Sequence, residues 1–303
     1  MIRDKSPSSR ILDVVVHTTL ALVLVVTLYP VLHVASVSLS RGTAVAQNEV
    51  TFYPKGLQLN AYKSILESEK ILGSFRNAVI YTTLGTLINM VMTVTMAYPL
   101  SKKHLTLRGF YTTLVVITMF FSGGLIPYFV LVRSLGMYNT TWAMVVPAAI
   151  YTWNLIIMRT FFQSLSVELE ESAYLDGAGD FTVLLRIALP LSKAAIATVS
   201  LFYLVAHWNS WFPAMIFLKE KSRYPLQLIL REVVLQSQYI EELMQKGLMS
   251  AADRLSSAGT DDYISTEKLK YATLFVSMIP MLVVYPFIQK YFVKGVMIGS
   301  LKG

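Results

Sequence analysis

The chain has 303 residues, 54% of them hydrophobic and only 15% charged, with a formal net charge of +8 and no cysteine. So little polar surface excludes a soluble globular enzyme of this length, and the missing cysteines exclude a disulfide framework or a thiolate metal site. The basic excess reads as membrane orientation rather than nucleic-acid binding. Six segments without Asp, Glu, Lys or Arg then follow one another: Val14–Val37, Asn77–Leu100, Phe110–Val132, Thr141–Met158, Ala194–Leu218 and Tyr271–Gln289. Each reaches or approaches the roughly 20 residues that cross about 30 Å of hydrocarbon. The fourth is the shortest, and it extends to Phe162 if Arg159 snorkels. The expectation is an all-α polytopic membrane protein, one transmembrane domain over 1–303 with six helices around 14–37, 77–100, 110–132, 141–162, 194–218 and 271–289.

The first ten residues are basic, but the apolar run after them exceeds the 7–15 residues of a signal-peptide core, so an uncleaved first span is expected. Short flanks carrying Arg3, Lys5 and Arg10, then Lys102, Lys103 and Arg108, then Arg159, Arg186 and Lys193, then Lys290, Lys294 and Lys302 are more basic than the opposite short loops. That asymmetry places both termini in the cytoplasm. The loop after the first span has a turn-rich Phe52-Tyr53-Pro54-Lys55-Gly56 and a short helical pattern at Tyr62–Leu66. Asn89 is the most polar group of the second span, and reads either as interhelical glue or as a path-lining residue. Ser122-Gly123-Gly124 with Pro127 should kink or break the third span, and Pro147 with Trp153-Asn154 raises the same question for the fourth. The fifth ends in His207-Trp208-Asn209, then Trp211 and Pro213. Aromatic faces beside amides suit a saccharide pocket, while an interfacial aromatic belt has the same composition. Asn154, Trp153, Trp208, Asn209 and Asn89 are therefore the candidate path residues. In the outer loop 219–270, apolar residues at Leu226, Ile229, Leu230, Val233 and Val234 repeat with helical spacing, and a polar stretch follows from Gly247 to Glu267.

One acidic, glycine-broken segment stands apart between two apolar runs, within the loop 163–190. Ser166 is placed to cap a helix, with Glu168, Glu170 and Glu171 near its positive end. Gly177 and Gly179 interrupt that helix. Asp180 is placed to cap a second one, with Phe181, Leu184, Leu185 and Ile187 as its apolar stripe and Pro190 as its end. The spacing Glu171-Ser172-Ala173, then Gly177, then Ile187-Ala188-Leu189-Pro190 resembles the EAA loop of ABC-importer permeases. Ser172 departs from the alanine that family most often has, but a small residue is kept. The basic tail from Lys290 resembles the ending of carbohydrate-uptake permeases of the maltose type, in the subgroup for oligosaccharides or polysaccharide fragments.

The resemblance implies that the loop is a coupling helix seated in a cleft of a cytoplasmic ATPase, through Glu171, Ser172, Ala173, Asp176, Gly177, Ala178, Ile187 and Pro190. It implies a second homologous permease chain, two copies of the nucleotide-binding subunit holding ATP and Mg, and an extracytoplasmic solute-binding protein facing the loop between the last two spans. It also implies a bacterial cytoplasmic membrane. The residues agree that this chain supplies no ATP chemistry: no G-x-x-x-x-G-K-[ST] occurs, and His17, His33, His104 and His207 have no metal-ligand spacing. No nucleophile-elbow serine is present either. An ion-coupled secondary transporter is the alternative, but it would normally carry ionisable groups inside its spans, and these hold only histidines. A non-transporting scaffold is the other alternative, and it would not need the glycine-broken loop.

Overall fold

The computed structural model describes residues 7–246 and 266–300, and these are helical with no strand among them. The polar loop read at Gly247–Glu267 and the end of the basic tail fall largely outside the described residues. The helices are α1 Pro7–Leu39, α2 Gly42–Ala46, α3 Asn60–Glu67, α4 Glu69–Ser101, α5 Arg108–Phe120, α6 Leu125–Ser134, α7 Trp142–Val145, α8 Thr152–Gln163, α9 Val167–Leu175, α10 Asp180–Val183, α11 Leu189–Leu191, α12 Lys193–Trp208, α13 Phe212–Phe217, α14 Leu226–Gln245 and α15 Thr266–Ser300. By compactness the chain divides into a unit of Met1–Glu69 with Leu230–Ile279 and a unit of Lys70–Ile229 with Pro280–Gly303.

Among the described residues, three continuous stretches are long and apolar enough to cross a membrane: Ser9–Leu39, Glu69–Ser101 and Glu267–Lys290. The other expected spans are interrupted, each at a residue that explains the break. The third bends by 117° between α5 and α6, where Gly124 adopts φ +82°, a conformation that glycine reaches without a Cβ penalty. The fourth is not one helix. α7 stops at Val145 and α8 starts at Thr152, because Pro147 lacks an N–H and its ring opposes the preceding turn. In the fifth, α12 ends at Trp208 and α13 starts at Phe212, with Pro213 in its first turn.

Backbone groups freed by such breaks must be satisfied inside the protein when water is excluded. Here side chains from α4 and α12 take them. Asn89 Nδ2 donates to Ala148 O, and the Tyr151 N–H donates to the Tyr203 hydroxyl at 3.2 Å. The Tyr203 hydroxyl also meets Thr93 Oγ1 at 2.6 Å, and Asn89 Oδ1 meets His207 Nε2 at 2.5 Å. The His207 ring occupies the space beside Gly85, where a Cβ would lie 2.5 Å from ring atoms. Asn89, Thr93, Tyr203 and His207 are all buried. The polar chain joins the second, fourth and fifth spans.

Apolar packing completes this unit. Tyr98, Leu155, Met158, Phe162, Val183, Leu184, Ala188, Val199 and Tyr203 belong to one buried cluster. A second cluster holds Tyr81, Met144, Val145, Ala214, Leu218 and Leu228. Beside it, Asn77 Nδ2 donates to Ser222 O at 2.7 Å and the Tyr81 hydroxyl to Arg223 O at 2.8 Å.

In the other unit, α1 ends over a small core of Val37, Ala44, Val45 and Val50. The helix expected near Tyr62 is α3, and the Tyr62 hydroxyl meets Ser38 Oγ at 2.6 Å. Lys268 is fully buried and reaches Asn60 Oδ1 and Gln58 Oε1. The most apolar window of α1 has none of its residues buried inside this chain.

Candidate functional site

The acidic loop folds as a helix, a bend and a second helix, closed by local hydrogen bonds that the sequence dictates. α9 carries Glu168 and Glu170 in its first turn, where carboxylates suit the positive helix end. Ser166 occupies the N-cap position in extended backbone, yet its side chain makes no cap bond.

At the other end, the Ala178 N–H donates to Ala173 O at 2.9 Å and the Gly177 N–H to Tyr174 O at 3.0 Å. This pair of bonds is a Schellman closure, which requires a left-handed residue just past the helix. Gly177 supplies it at φ +82°. A Cβ there would meet nothing within 4 Å, so glycine serves dihedral freedom here and not close packing within the chain. Ala173 and Ala178 lean on the buried cluster of the bundle, which fixes the bend against the spans.

Three expectations for the second half of the loop are corrected. Asp180 is the first residue of α10 and Gly179 holds the cap position, with no side-chain cap bond. The Asp180 carboxylate instead accepts from the Tyr174 hydroxyl at 2.7 Å, stapling the loop across its bend. Burial first, and this bond second, raise the Tyr174 pKa above its ordinary value, which keeps the phenol a donor. Pro190 is not the last helical residue, since the helix runs one residue further to Leu191. A π-turn spans Leu184–Ala188, where the Leu189 N–H reaches back to Leu184 O, and α11 continues through Pro190 before an 83° bend into α12. The buried stripe is also shifted: Val183, Leu184 and Ala188 are in the core with Ile187 and Leu189 against it, while Phe181 and Leu185 face outward.

That shift leaves an apolar outer surface. Leu175 is 89% exposed and Phe181 69%, with Val167 and Leu169 also exposed. Glu171, Ser172, Asp176 and Gly177 are exposed on the same loop. An element whose backbone is closed and whose leucine and phenylalanine project outward has the composition of a docking knob.

Behind the knob, charged groups gather at the C-terminal end of α4. Lys102 Nζ is paired with both carboxylate oxygens of Glu170 and lies 4.2 Å from the Tyr98 ring centre. Leu100 O accepts from Arg159 Nε at 3.0 Å and from Arg108 Nε at 3.1 Å. With its amide oxygen turned toward them, Gln163 accepts from both guanidinium groups. A cleft of about 670 Å³ opens beside this cluster, lined by Lys102, Lys103, His104, Gln163 and Glu170 among others. These basic residues were legible only as orientation signals. Their contact with the acidic helix joins positions far apart in sequence, which no local pattern announces.

The candidate path residues are dispersed rather than gathered into one pocket. Asn89 is tied into the polar chain described above. Asn154 is buried on α8 and Trp153 is 64% exposed. Trp208 is buried edge-on to Phe75, with ring centres 5.9 Å apart. Asn209 is exposed and donates to Val205 O at 3.0 Å, capping α12. Among the described residues no three metal-binding side chains converge.

Comparison with known proteins places this arrangement. Residues 71–298 match the family described as binding-protein-dependent transport system inner membrane component. The chain is 38% identical over 98% of its length to Protein LplC of Bacillus subtilis, covering 96% of that protein. It is 37% identical over 97% of its length to the polygalacturonan/rhamnogalacturonan transport system permease protein YtcP of the same organism, covering 99% of it. Among solved structures, a chain of a bacterial ABC transporter involved in the import of the acidic polysaccharide alginate superposes with a TM-score of 0.82 at 31% identity, over 95% of this chain and 99% of that one.

Proposed function

The chain belongs to the family of binding-protein-dependent transport system inner membrane components, and from that premise we propose that it forms half of the transmembrane path of an importer for oligosaccharide fragments of a polysaccharide. It is an ABC permease subunit, multi-pass in the inner membrane. The cargo class is supported by the polysaccharide importers to which it is similar over nearly its whole length.

The observation that carries the mechanism is the closed knob of α9–α10, with Leu175 and Phe181 exposed and its back packed into the bundle. The knob seats in a cleft of the ATPase subunit. ATP and Mg bind there, closure of two such subunits moves the cleft, and the knob moves with it. Because Val183, Leu184 and Ala188 share a core with Leu155, Met158 and Val199, that displacement cannot be absorbed within the loop. It tilts the bundle and alternates access between the two faces. Both termini then lie in the cytoplasm, and the outer loop 219–270 receives the solute-binding protein. A second, homologous permease chain completes the path, and the bare apolar flank of α1 is available to that chain or to lipid.

Cross-linking tests the docking. The chain has no cysteine, so Ser172→Cys, at an exposed position of the knob, gives a single reactive site in this subunit. In the assembled complex it should form a cross-link to the ATPase subunit with a short linker carrying a maleimide for this thiol and a succinimidyl ester for partner amines. Exclusive reaction with the solute-binding protein or with extracytoplasmic reagents would reverse the orientation and end the proposal.

A further inference from the structure

We propose that the Lys102–Glu170 pair is a transmission link that passes displacement of the coupling knob to the second span, α4, in addition to the fifth span to which the loop leads in sequence. The inference rests on the docking proposed above, and adds a route and its residues.

The geometry is specific. Glu170 lies in the first turn of α9, and Lys102 lies one residue beyond the end of α4. Their side chains are only 12% and 13% exposed, so water does not compete freely for either charge. Lys102 is held from its other side by the Tyr98 ring, and Tyr98 is itself in the buried cluster. The end of α4 is also gripped by Arg108 from α5 and Arg159 from α8, both on Leu100 O. A cationic cap suits the negative end of the α4 macrodipole, and Glu170 completes it with the opposite charge.

Lysine on a flexible stem would ordinarily make a poor strut. Here the aromatic face, the bidentate carboxylate and the low exposure restrict it. Glu171, Asp180 and the Tyr174 hydroxyl are the other polar groups of the loop around the same cleft, with Lys103 and His104 on the facing side. Asp180 and Tyr174 are engaged with each other and Glu171 is exposed, while Glu170 is the carboxylate paired with Lys102 at the end of α4. Lys102 and Glu170 are positioning residues: they act through the ends of α4 and α9 that they join.

The test follows a signal from one end of α4 to the other. Arg76 is exposed near the start of α4, about 40 Å from Lys102 at the helical rise per residue. An Arg76→Cys reporter in the complete transporter, in nanodiscs that leave both faces open, is labelled with a polar maleimide, with and without ATP and vanadate. Trapping the nucleotide should change the labelling rate about tenfold, the scale of coupling between linked sites. Lys102→Met or Glu170→Gln should reduce that response to less than about twofold while the ATPase subunit still co-purifies at the parental ratio. Lys102→Arg and the exchanged pair K102E/E170K should restore it, which a mere folding role would not produce. A reporter that ignores nucleotide in the parent overturns the inference, and so does a full response in either single variant or an exchanged pair that assembles without recovering. Cross-linking at the exposed Ser172→Cys separates the two readings. If it reaches the ATPase while the charge variants respond fully, docking stands and the link falls. If it fails, the docking itself is wrong.

Discussion

Gly177 offers the sharpest test of how the knob is built, because conformation and size predict opposite orders there. The residue stands at φ +82°, where an L side chain costs about 1–2 kcal/mol. A Cβ added there would have no atom within 4 Å, so inside this chain the whole penalty is conformational. Gly177→Ala should therefore cost about 1 kcal/mol, or about fivefold in the ratio of loops holding the docking shape to loops that have lost it. Asparagine tolerates the left-handed region, so Gly177→Asn should be milder although its side chain is larger. Gly177→Val, β-branched, should cost about 2 kcal/mol or more, about thirtyfold. The assay is titration of the ATPase subunit onto the permease pair in nanodiscs, reading the apparent Kd, which rises as the competent fraction falls. The expected order of weakening is Asn, then Ala, then Val. If asparagine binds more weakly than alanine, size governs and the constraint is the partner's cleft rather than the Schellman bend.

Two further outcomes follow from the polar chain inside the bundle. Gly85→Ala places a methyl group 2.5 Å from His207 ring atoms and should lower stability by about 1–3 kcal/mol, seen as a reduced Tm in detergent. Adding His207→Ala should recover part of that loss, and no recovery would exclude the ring as the obstacle. Asn89→Ala leaves Ala148 O and the His207 ring without their partner and should cost about 0.6–2 kcal/mol. Thr95→Ala on the same helix, whose exposed hydroxyl bonds only its own turn, should be near neutral, and equal losses at both sites would refute the argument.

Much of this was readable from residues because the governing physics is local. Charge-free runs of spanning length announce helices in lipid, and a glycine two residues past a helical pattern announces a left-handed closure, which is what Gly177 provides. The glycine pair at Gly123-Gly124 and Pro147 were recognisable as break points for the same reason. What stayed hidden depends on groups that meet only after folding. Asp180 has the chemistry of an N-cap, but Tyr174 takes its carboxylate across the bend. Pro190 has the chemistry of a helix end, and the helix stops one residue past it at Leu191, but the stripe that packing against the spans selects is Val183, Leu184 and Ala188. Lys102 and Glu170 are separated by 68 positions, and neither periodicity nor composition could pair them.

The placement of the breaks bears on how a push from the ATPase would be used. α8 packs against both α5 and α12; Thr118 and Thr152 hydroxyls join α5 to α8 at 2.9 Å, and the end of α4 is fastened to α5 and α8 through Leu100 O. These elements, with the knob, share one buried cluster and so form a block. Each of α5, α8 and α12 also meets an interruption at one end: Phe121–Gly124, 146–151 and 209–211. A straight uninterrupted bundle would have to tilt as a whole, dragging its outer ends through the same angle. A block bounded by breaks can rotate while the segments beyond them lag, because the non-helical residues at each break absorb the dihedral change. On the proposed mechanism the bends are hinges in series with the knob, and the side chains that satisfy the opened backbone, Asn89 and Tyr203, set how stiff the fourth-span hinge is. Stiffening it by adding contacts should slow the access switch while leaving ATPase docking unchanged.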